Sequence, residues 1–264
     1  MFQQKRLLVI GAHPDDADLM FGGTALKLTA AGHEVKFVSV CNGDCGHYKM
    51  KPEKLAERRY KEAQASARIT GLAEYQILSN SDCTLEASLE NRAGIVRIIR
   101  NFNPDAVISH RPNDYHADHR ATAQLVQDAS FLVMVPLYIP DVPIPEKWPV
   151  FAYGWDRFQT PMPFRADATV IIDDVIEQKM AILNCHTSQF YEWLPWNKGY
   201  KDFELKDMSK SEKDQWLLDN WIIHNSRQAR LYLENGEAGY VEAFEQSEYG
   251  RALSPKEFAV LFSV

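Results

Sequence analysis

A histidine and two carboxylates stand together near the start of the chain, in His13-Pro14-Asp15-Asp16, directly after the apolar run at residues 7–10. Pro14 fixes its own φ and favours an extended conformation at His13, so a strand can run up to His13 and end in a stiff turn. His13 and Asp16 can then face one point. An imidazole and a carboxylate are two of the three protein ligands that a catalytic zinc ion commonly takes, beside a water. The sequence therefore predicts part of a metal site whose third ligand lies elsewhere.

A second group of histidines and aspartates follows another short apolar run, at residues 106–108. The apolar periodicity after this group predicts a helix, so His116 and His119 lie on one face of its first turn. Spacing alone leaves open which of the two binds the metal, or whether both do. Because parallel strands that end in such residues share one edge of a sheet, we expect the two groups to converge.

Strand-like and helix-like segments alternate in the first half of the chain. The predicted strands cover residues 7–10, 35–40, 75–78 and 106–109, and the predicted helices cover about 24–31, 52–69 and 87–101, with another after His116. This alternation is typical of an α/β fold with a doubly wound, mainly parallel sheet and helices on both faces, as in Rossmann-like proteins. No linker is evident and 45% of the residues are hydrophobic, so we expect a single domain over residues 1–264.

The second half follows a different pattern. Residues 135–165 hold many of the 13 prolines and predict an irregular segment at the rim of a site. A strand is expected at 169–172, and the part from about 174 to 264 is expected to be helical and aromatic, with helices at about 174–185 and 215–234 and an exposed charged segment at 201–213. Its tryptophans would either stack on sugar rings or pack in the core.

Composition excludes several classes of protein. The 29 basic and 36 acidic residues give a net charge of −7, which disfavours a nucleic-acid partner. No apolar run is long enough to cross a membrane or to form the core of a signal peptide, and four cysteines are too few for a disulfide framework. We therefore expect a cytoplasmic protein with no membrane partner. The oligomeric state is not encoded in these patterns, and a homo-oligomer is compatible with them.

The loop after the second predicted strand carries Cys41, Asn42, Asp44, Cys45 and His47. A structural zinc site takes four ligands, usually in two short-spaced pairs, and the sequence offers no second pair. The loop should reach the same sheet edge as the metal ligands. Its polar side chains, Asn42 in particular, are therefore expected to contact substrate.

Taken together, these motifs resemble the PIG-L/LmbE superfamily of zinc-dependent deacetylases, which act on N-acetylglucosamine derivatives. The resemblance rests on His13-Pro14-Asp15-Asp16, then Gly22-Gly23-Thr24, the Arg-Tyr-Lys-Glu-Ala segment at 59–63 and His116-Ala117-Asp118-His119, with looser likeness at 179–182, 186–189 and 242–244. It implies a hydrolase that removes the acetyl group from an N-acetylated amino sugar or its conjugate, with a small-molecule substrate. Where many relatives have Glu after the two aspartates, this chain has Ala17 and then Asp18.

The resemblance also implies a role for each residue. His13, Asp16 and His119 would hold the metal, which is zinc or another divalent ion such as iron(II). Asp15 would be the general base, and His116, as an imidazolium kept charged and oriented by Asp118, would stabilise the oxyanion. The residues expected to bind substrate are Arg59, Asn42, Asp114, Tyr115 and His186, the last of which has an equally simple structural interpretation.

Two other functional classes stay open. Two histidines and one carboxylate also describe a mononuclear iron(II) oxygenase, and the aromatic C-terminal part would suit a non-catalytic carbohydrate-binding protein. Asp15 favours hydrolysis over oxygenation because a hydrolase needs a base beside the attacking water. A binding protein would leave both histidine and aspartate groups without a role.

Overall fold

The computed structural model of the protein describes residues 3–200, 208–222 and 239–263. Its strands are β1 (Arg6–Gly11), β2 (Glu34–Cys41), β3 (Glu74–Asn80), β4 (Ala106–Ser109), β5 (Val150–Gly154), β6 (Ala168–Ile171) and β7 (Val241–Gly250). They form one sheet in the order β3-β2-β1-β4-β5-β7-β6. The first five strands are mutually parallel, and β7 runs antiparallel to both β5 and β6.

Helices cover both faces of the sheet. They are α1 (Asp16–Ala30), α2 (Pro52–Thr70), α3 (Leu89–Phe102), α4 (Ala117–Leu132), α5 (Ile176–Leu183), α6 (Leu194–Asn197), α7 (Lys210–Leu217) and α8 (Pro255–Phe262). Alternate β1 side chains enter different core layers. Leu7 and Val9 pack with α1, α2 and α8, whereas Leu8 and Ile10 pack with α3 and α4. The predicted doubly wound, mainly parallel α/β fold is confirmed.

The sheet edge at the carboxyl end of β1 is where the fold places its functional groups. The chain moves from β1 through β2 to β3 on one side, and then resumes with β4 and β5 on the other side of β1. Open α/β sheets bind ligands at such a point, where the strand order reverses. The segments that follow β1 and β4 are the two that carry the predicted metal ligands.

Helix α1 begins at Asp16, eight residues before the predicted start at residue 24. The sequence did not predict this early start, because Gly22 and Gly23 interrupt the helical pattern. In the fold these glycines allow close packing, since a Cβ at Gly23 would lie 2.8 Å from Ile172 Cδ1. The carboxylate of Glu242 also accepts hydrogen bonds from the backbone of Gly23 and Thr24 at 2.9 and 2.8 Å.

Two strands lie where the sequence predicted other structure. β5 falls inside the segment 135–165 that was expected to be irregular, and β7 falls inside the part expected to be helical. Both extend the sheet beyond β4, and their pairing partners are distant in the chain, so local patterns carried little signal. Of the helix predicted at 215–234, residues 215–222 are helical, and residues 223–234 lie outside the described residues, as do 201–207 of the charged segment. Among the described helices, none combines the length and the apolar character that crossing a bilayer requires.

Candidate active site

Three side chains form a compact triangle at the sheet edge. Nδ1 of His13 lies 3.3 Å from Nε2 of His119, and Oδ2 of Asp16 lies 3.6 Å from the first atom and 3.5 Å from the second. His13 follows β1, Asp16 opens α1 and His119 lies in the first turn of α4. Gly11 permits this arrangement, because a Cβ there would lie 2.8 Å from the Cβ of Asp16. The two motifs therefore come together in the structure, as the sequence predicted.

Each histidine of the triangle has a carboxylate on its other ring nitrogen. Nε2 of His13 lies 3.0 Å from Oδ2 of Asp118, and Nδ1 of His119 lies 3.1 Å from Oδ2 of Asp114. A ring nitrogen that donates to a carboxylate leaves the opposite nitrogen with a free lone pair, which is how metal-binding histidines are oriented in proteins. The two lone pairs therefore face each other and Asp16, and the donor set of two imidazoles and one carboxylate fits a divalent cation.

The electrostatics of the triangle favour positive charge. Burial lowers the pKa of His13, but the hydrogen bond to Asp118 and the nearby carboxylate of Asp16 outweigh burial and raise that pKa to about 10. Burial likewise opposes the ionised form of Asp16, yet the neighbouring His119 and His110 hold its pKa well below the ordinary value. The site thus stabilises a cation among these side chains.

Asp118 and His116 differ from their predicted pairing. The Asp118 carboxylate is closer to His13 than to His116, whose Nδ1 is 3.8 Å away. Nδ1 of His116 accepts the backbone N–H of Asp118 at 3.2 Å and so caps α4. Burial and the adjacent His13 and His119 lower the pKa of His116. The structure therefore favours a neutral His116 with a proton on Nε2, in place of the imidazolium expected from sequence.

Asp15 and Arg59 form an ion pair beside the triangle of His13, Asp16 and His119. Nη2 of Arg59 donates to Oδ1 of Asp15 at 3.1 Å, and its Nη1 lies 3.5 Å from Asp82. Burial raises the pKa of Asp15, while the charge of Arg59 opposes that rise. Arg59 is buried and lines the same cavity as Asp15.

His110 was not assigned a role from the sequence. Its ring stacks on His119 with centroids 4.1 Å apart, and its Nε2 lies 3.3 Å from Oδ2 of Asp16 and 3.1 Å from the backbone nitrogen of Ala12. His110 directly follows β4. Its position at a strand end was the signal that could have identified it.

A cavity of about 530 Å³ opens beside the triangle. Its aromatic wall includes Trp155 and Phe158 from the Pro-rich segment together with Trp193 and Trp221 from the C-terminal part. Tyr115 is 70% exposed and also lines the cavity. The Pro-rich segment and the C-terminal part, where the likeness to the family is weakest, thus line the cavity next to the predicted metal ligands.

Two predicted substrate contacts lie away from this cavity. His186 is fully buried, with its Nε2 3.1 Å from Oδ2 of Asp18. Asn42 uses its side-chain oxygen to accept the backbone N–H of Asp44 at 3.1 Å. Neither residue lines the cavity, whose nearest lining residues on that loop are Cys45 and Gly46. His186 therefore takes the structural role, and the prediction for Asn42 is not supported.

Comparison with known proteins identifies relatives of the chain. The profile of the PIG-L family, described as GlcNAc-PI de-N-acetylase, matches residues 8–130. A diacetylchitobiose deacetylase of Thermococcus kodakarensis is 32% identical over 210 residues, which cover 76% of this chain and 77% of that protein.

Solved structures share the fold over nearly the whole chain. The N,N'-diacetylchitobiose deacetylase from Pyrococcus horikoshii superposes with a TM-score of 0.73 at 24% identity, covering 92% of this chain and 84% of the other. GalB, a 4-carboxy-2-hydroxymuconate hydratase from Pseudomonas putida, superposes with a TM-score of 0.71 at 20% identity, covering 95% and 99%. One fold therefore carries two reaction classes, so the reaction has to be argued from the site.

Proposed function

Because this chain belongs to the PIG-L family of GlcNAc-PI de-N-acetylases, we propose that it is a zinc-dependent hydrolase of an N-acetylated amino sugar or its conjugate. The reaction consumes water, cleaves the acetamide C–N bond and yields acetate and a free amine. The observation that carries the proposal is the triangle of His13, Asp16 and His119, in which two oriented lone pairs and a carboxylate face one point. When bound there, zinc polarises the substrate carbonyl and lowers the pKa of a water to about 7.

Asp15 is the proposed general base. It adjoins Asp16, lines the cavity and is oriented by the guanidinium of Arg59. Burial raises the pKa of Asp15, which makes it a better proton acceptor than a solvated carboxylate. In the proposed reaction it accepts a proton from the attacking water and later delivers it to the departing amine nitrogen.

His116 is the proposed donor to the oxyanion. The backbone N–H of Asp118 occupies its Nδ1, so Nε2 carries the hydrogen in the neutral ring. Its ring lies 4.7 Å from that of His13 and 5.1 Å from that of His119, which places it beside the metal ligands. A fixed N–H donor there stabilises negative charge that develops on the acetamide oxygen.

The cavity supports a small glycan substrate. Its volume of about 530 Å³ and its aromatic wall suit an amino sugar or a short oligosaccharide, whose rings stack on aromatic faces. Diacetylchitobiose is the first substrate to test, because the Thermococcus relative is named as its deacetylase. We further propose action in the cytoplasm, in keeping with the acidic composition and the unpaired cysteines.

The proposal is tested by metal analysis together with release of free amine from N-acetylglucosamine, diacetylchitobiose and N-acetylglucosaminides with other aglycones. We expect about one zinc per chain, amine release from at least one substrate, loss of that activity after chelation and recovery on adding zinc. Full metal loading with no amine from any member of the panel would contradict deacetylation. Oxygen consumption by the iron(II)-loaded protein would instead support the oxygenase alternative.

A further inference from the structure

Two cysteines lie in the cavity wall next to the proposed active site. Cys45 belongs to the loop after β2 and Cys83 to the loop after β3, and both are free, exposed and cavity-lining. Burial raises the pKa of the Cys83 thiol, and the neighbouring Cys45 adds to that rise. The proposed hydrolysis uses neither of them.

A buried carboxylate anchors each of these loops. The backbone N–H of Cys83 donates to Oδ2 of Asp118 at 2.6 Å, and that of Cys45 donates to Oδ2 of Asp82 at 3.3 Å. Cys83 has a φ of 66°, a left-handed conformation that is unusual for a residue other than glycine and that surrounding contacts must maintain. The fold therefore holds the Cys83 side chain in a fixed place beside α4.

Potential ligand atoms converge there. Sγ of Cys83, a ring nitrogen of His116 and a carboxylate oxygen of Asp118 all lie within 4.8 Å of one another. The Asp118 side chain is 1% exposed, and its Oδ1 accepts no hydrogen bond from the described residues. A buried carboxylate oxygen without a partner is a place where a cation would be stabilised.

We propose that Cys83, His116 and Asp118, with Cys45 as a fourth ligand, form a second metal site that prefers thiophilic divalent cations. Thiolates select such ions over the mixed nitrogen and oxygen donors of the triangle. On binding, the two thiols release their protons to solvent. The two thiolates then neutralise the cation, so that it is not repelled by a cation held by His13, Asp16 and His119.

Occupancy of this second site would inhibit the enzyme, a consequence that rests on the proposed function. A cation bound to His116 either replaces the proton on Nε2 or displaces the backbone N–H that Nδ1 accepts, and either change removes the fixed donor from its place beside the oxyanion. Binding of a thiophilic metal at the second site would therefore stop deacetylation.

The test is a Cd²⁺ titration of the reduced, zinc-loaded protein, followed by ultraviolet absorption. Thiolate ligands give Cd²⁺ a sulfur-to-metal charge-transfer band, and the triangle contains no sulfur, so Cd²⁺ exchanged into it contributes none. We expect the band to saturate at one equivalent, to weaken in Cys83→Ser, which keeps the Cys45 thiol, and to be absent in the double variant Cys45→Ser/Cys83→Ser. Cys185→Ser, which changes a thiol on another part of the chain, should keep the full band. The Cd²⁺ concentration that halves deacetylase activity should rise at least about tenfold in Cys83→Ser, since a soft ligand is lost.

A charge-transfer band that keeps its full intensity in Cys45→Ser/Cys83→Ser, or that never forms in the wild-type protein, would overturn the second site. The absorption measurement needs no turnover. A failure of deacetylation on every substrate would therefore leave the titration readable, and the two proposals can fail separately. A His116→Ala variant, which retains both thiols, should bind Cd²⁺ more weakly; unchanged binding would remove His116 from the ligand set.

Discussion

Asp118 accepts a hydrogen bond from Nε2 of His13 at 3.0 Å, across 105 residues of sequence. The contact joins the start of α4 to the end of β1 and turns the opposite nitrogen of His13 toward Asp16 and His119. Asp118 therefore supports the metal ligand from the first motif, although it belongs to the second.

Replacing Asp118 by Asn should weaken metal binding by about 10- to 100-fold, because the orientation and basicity of His13 depend on this carboxylate. Competition with a chromogenic chelator measures the change. Asp128→Asn is the matched control on the same helix, since Asp128 is partly exposed and distant from the triangle. Equal affinities for the two variants would show that Asp118 does not tune His13.

Asp15→Asn should retain the metal and lower kcat by at least about 100-fold, because the amide keeps the shape of the side chain but cannot accept the proton. Elemental analysis and amine release from the same preparation separate the two effects. Loss of metal from this variant would instead make Asp15 a ligand.

His119→Ala should abolish stoichiometric metal binding, whereas His116→Ala should keep the metal and lose activity. The physical reason is that Nε2 of His119 faces the triangle, while His116 is oriented by a backbone N–H and lies to one side. Isothermal titration of the metal-free variants with zinc compares them. If both variants lost the metal equally, the proposed division of roles would be wrong.

Glu242→Ala should reduce the free energy of unfolding by about 3–5 kcal/mol, because it leaves a buried ammonium unpaired. Lys179 contacts Glu242 and also donates to the backbone oxygen of Leu19 at 2.9 Å, and the two side chains are almost fully buried. Urea denaturation followed by circular dichroism measures the loss. The exposed Glu177→Ala on α5 should change stability by less than about 0.5 kcal/mol, and a similar loss in both variants would contradict a special role for Glu242.

Glu192 makes stability dependent on pH. Burial raises its pKa, but hydrogen bonds from Arg58 at 2.6 Å and His47 at 2.9 Å outweigh burial, so the pKa is lowered on folding. A lowered pKa adds stability above the ordinary Glu value of about 4.3, and that stability is lost as the pH falls through the lowered pKa.

Glu192→Gln should therefore be less stable than the wild type at neutral pH by about 0.5–1 kcal/mol, a value reduced for the 34% exposure of this side chain. The difference should shrink as the pH falls below the ordinary Glu pKa of about 4.3. Urea midpoints across this range measure it. A stability difference that grows on acidification would contradict a lowered pKa of Glu192 in the folded protein.

Much of the fold was predictable because local patterns encode it. The alternation of strands and helices up to α4 predicts a parallel sheet, and strand ends in such a sheet meet at one edge. His13, Asp16 and His119 could be singled out for that reason. Strands β5 and β7 were not predicted, because the neighbouring strands, more than the local sequence, decide whether a segment joins a sheet.

Distances between side chains from distant segments determine the rest of the site. No spacing in the chain shows that Asp118 faces His13, that His186 is enclosed behind Asp18 or that Cys83 lies beside His116. Each of these pairs forms when helices and loops pack on the sheet. Residue types thus specified which chemistry the chain can perform, and packing assigned each group its partner, because hydrogen bonds and metal ligation act only over a few ångströms.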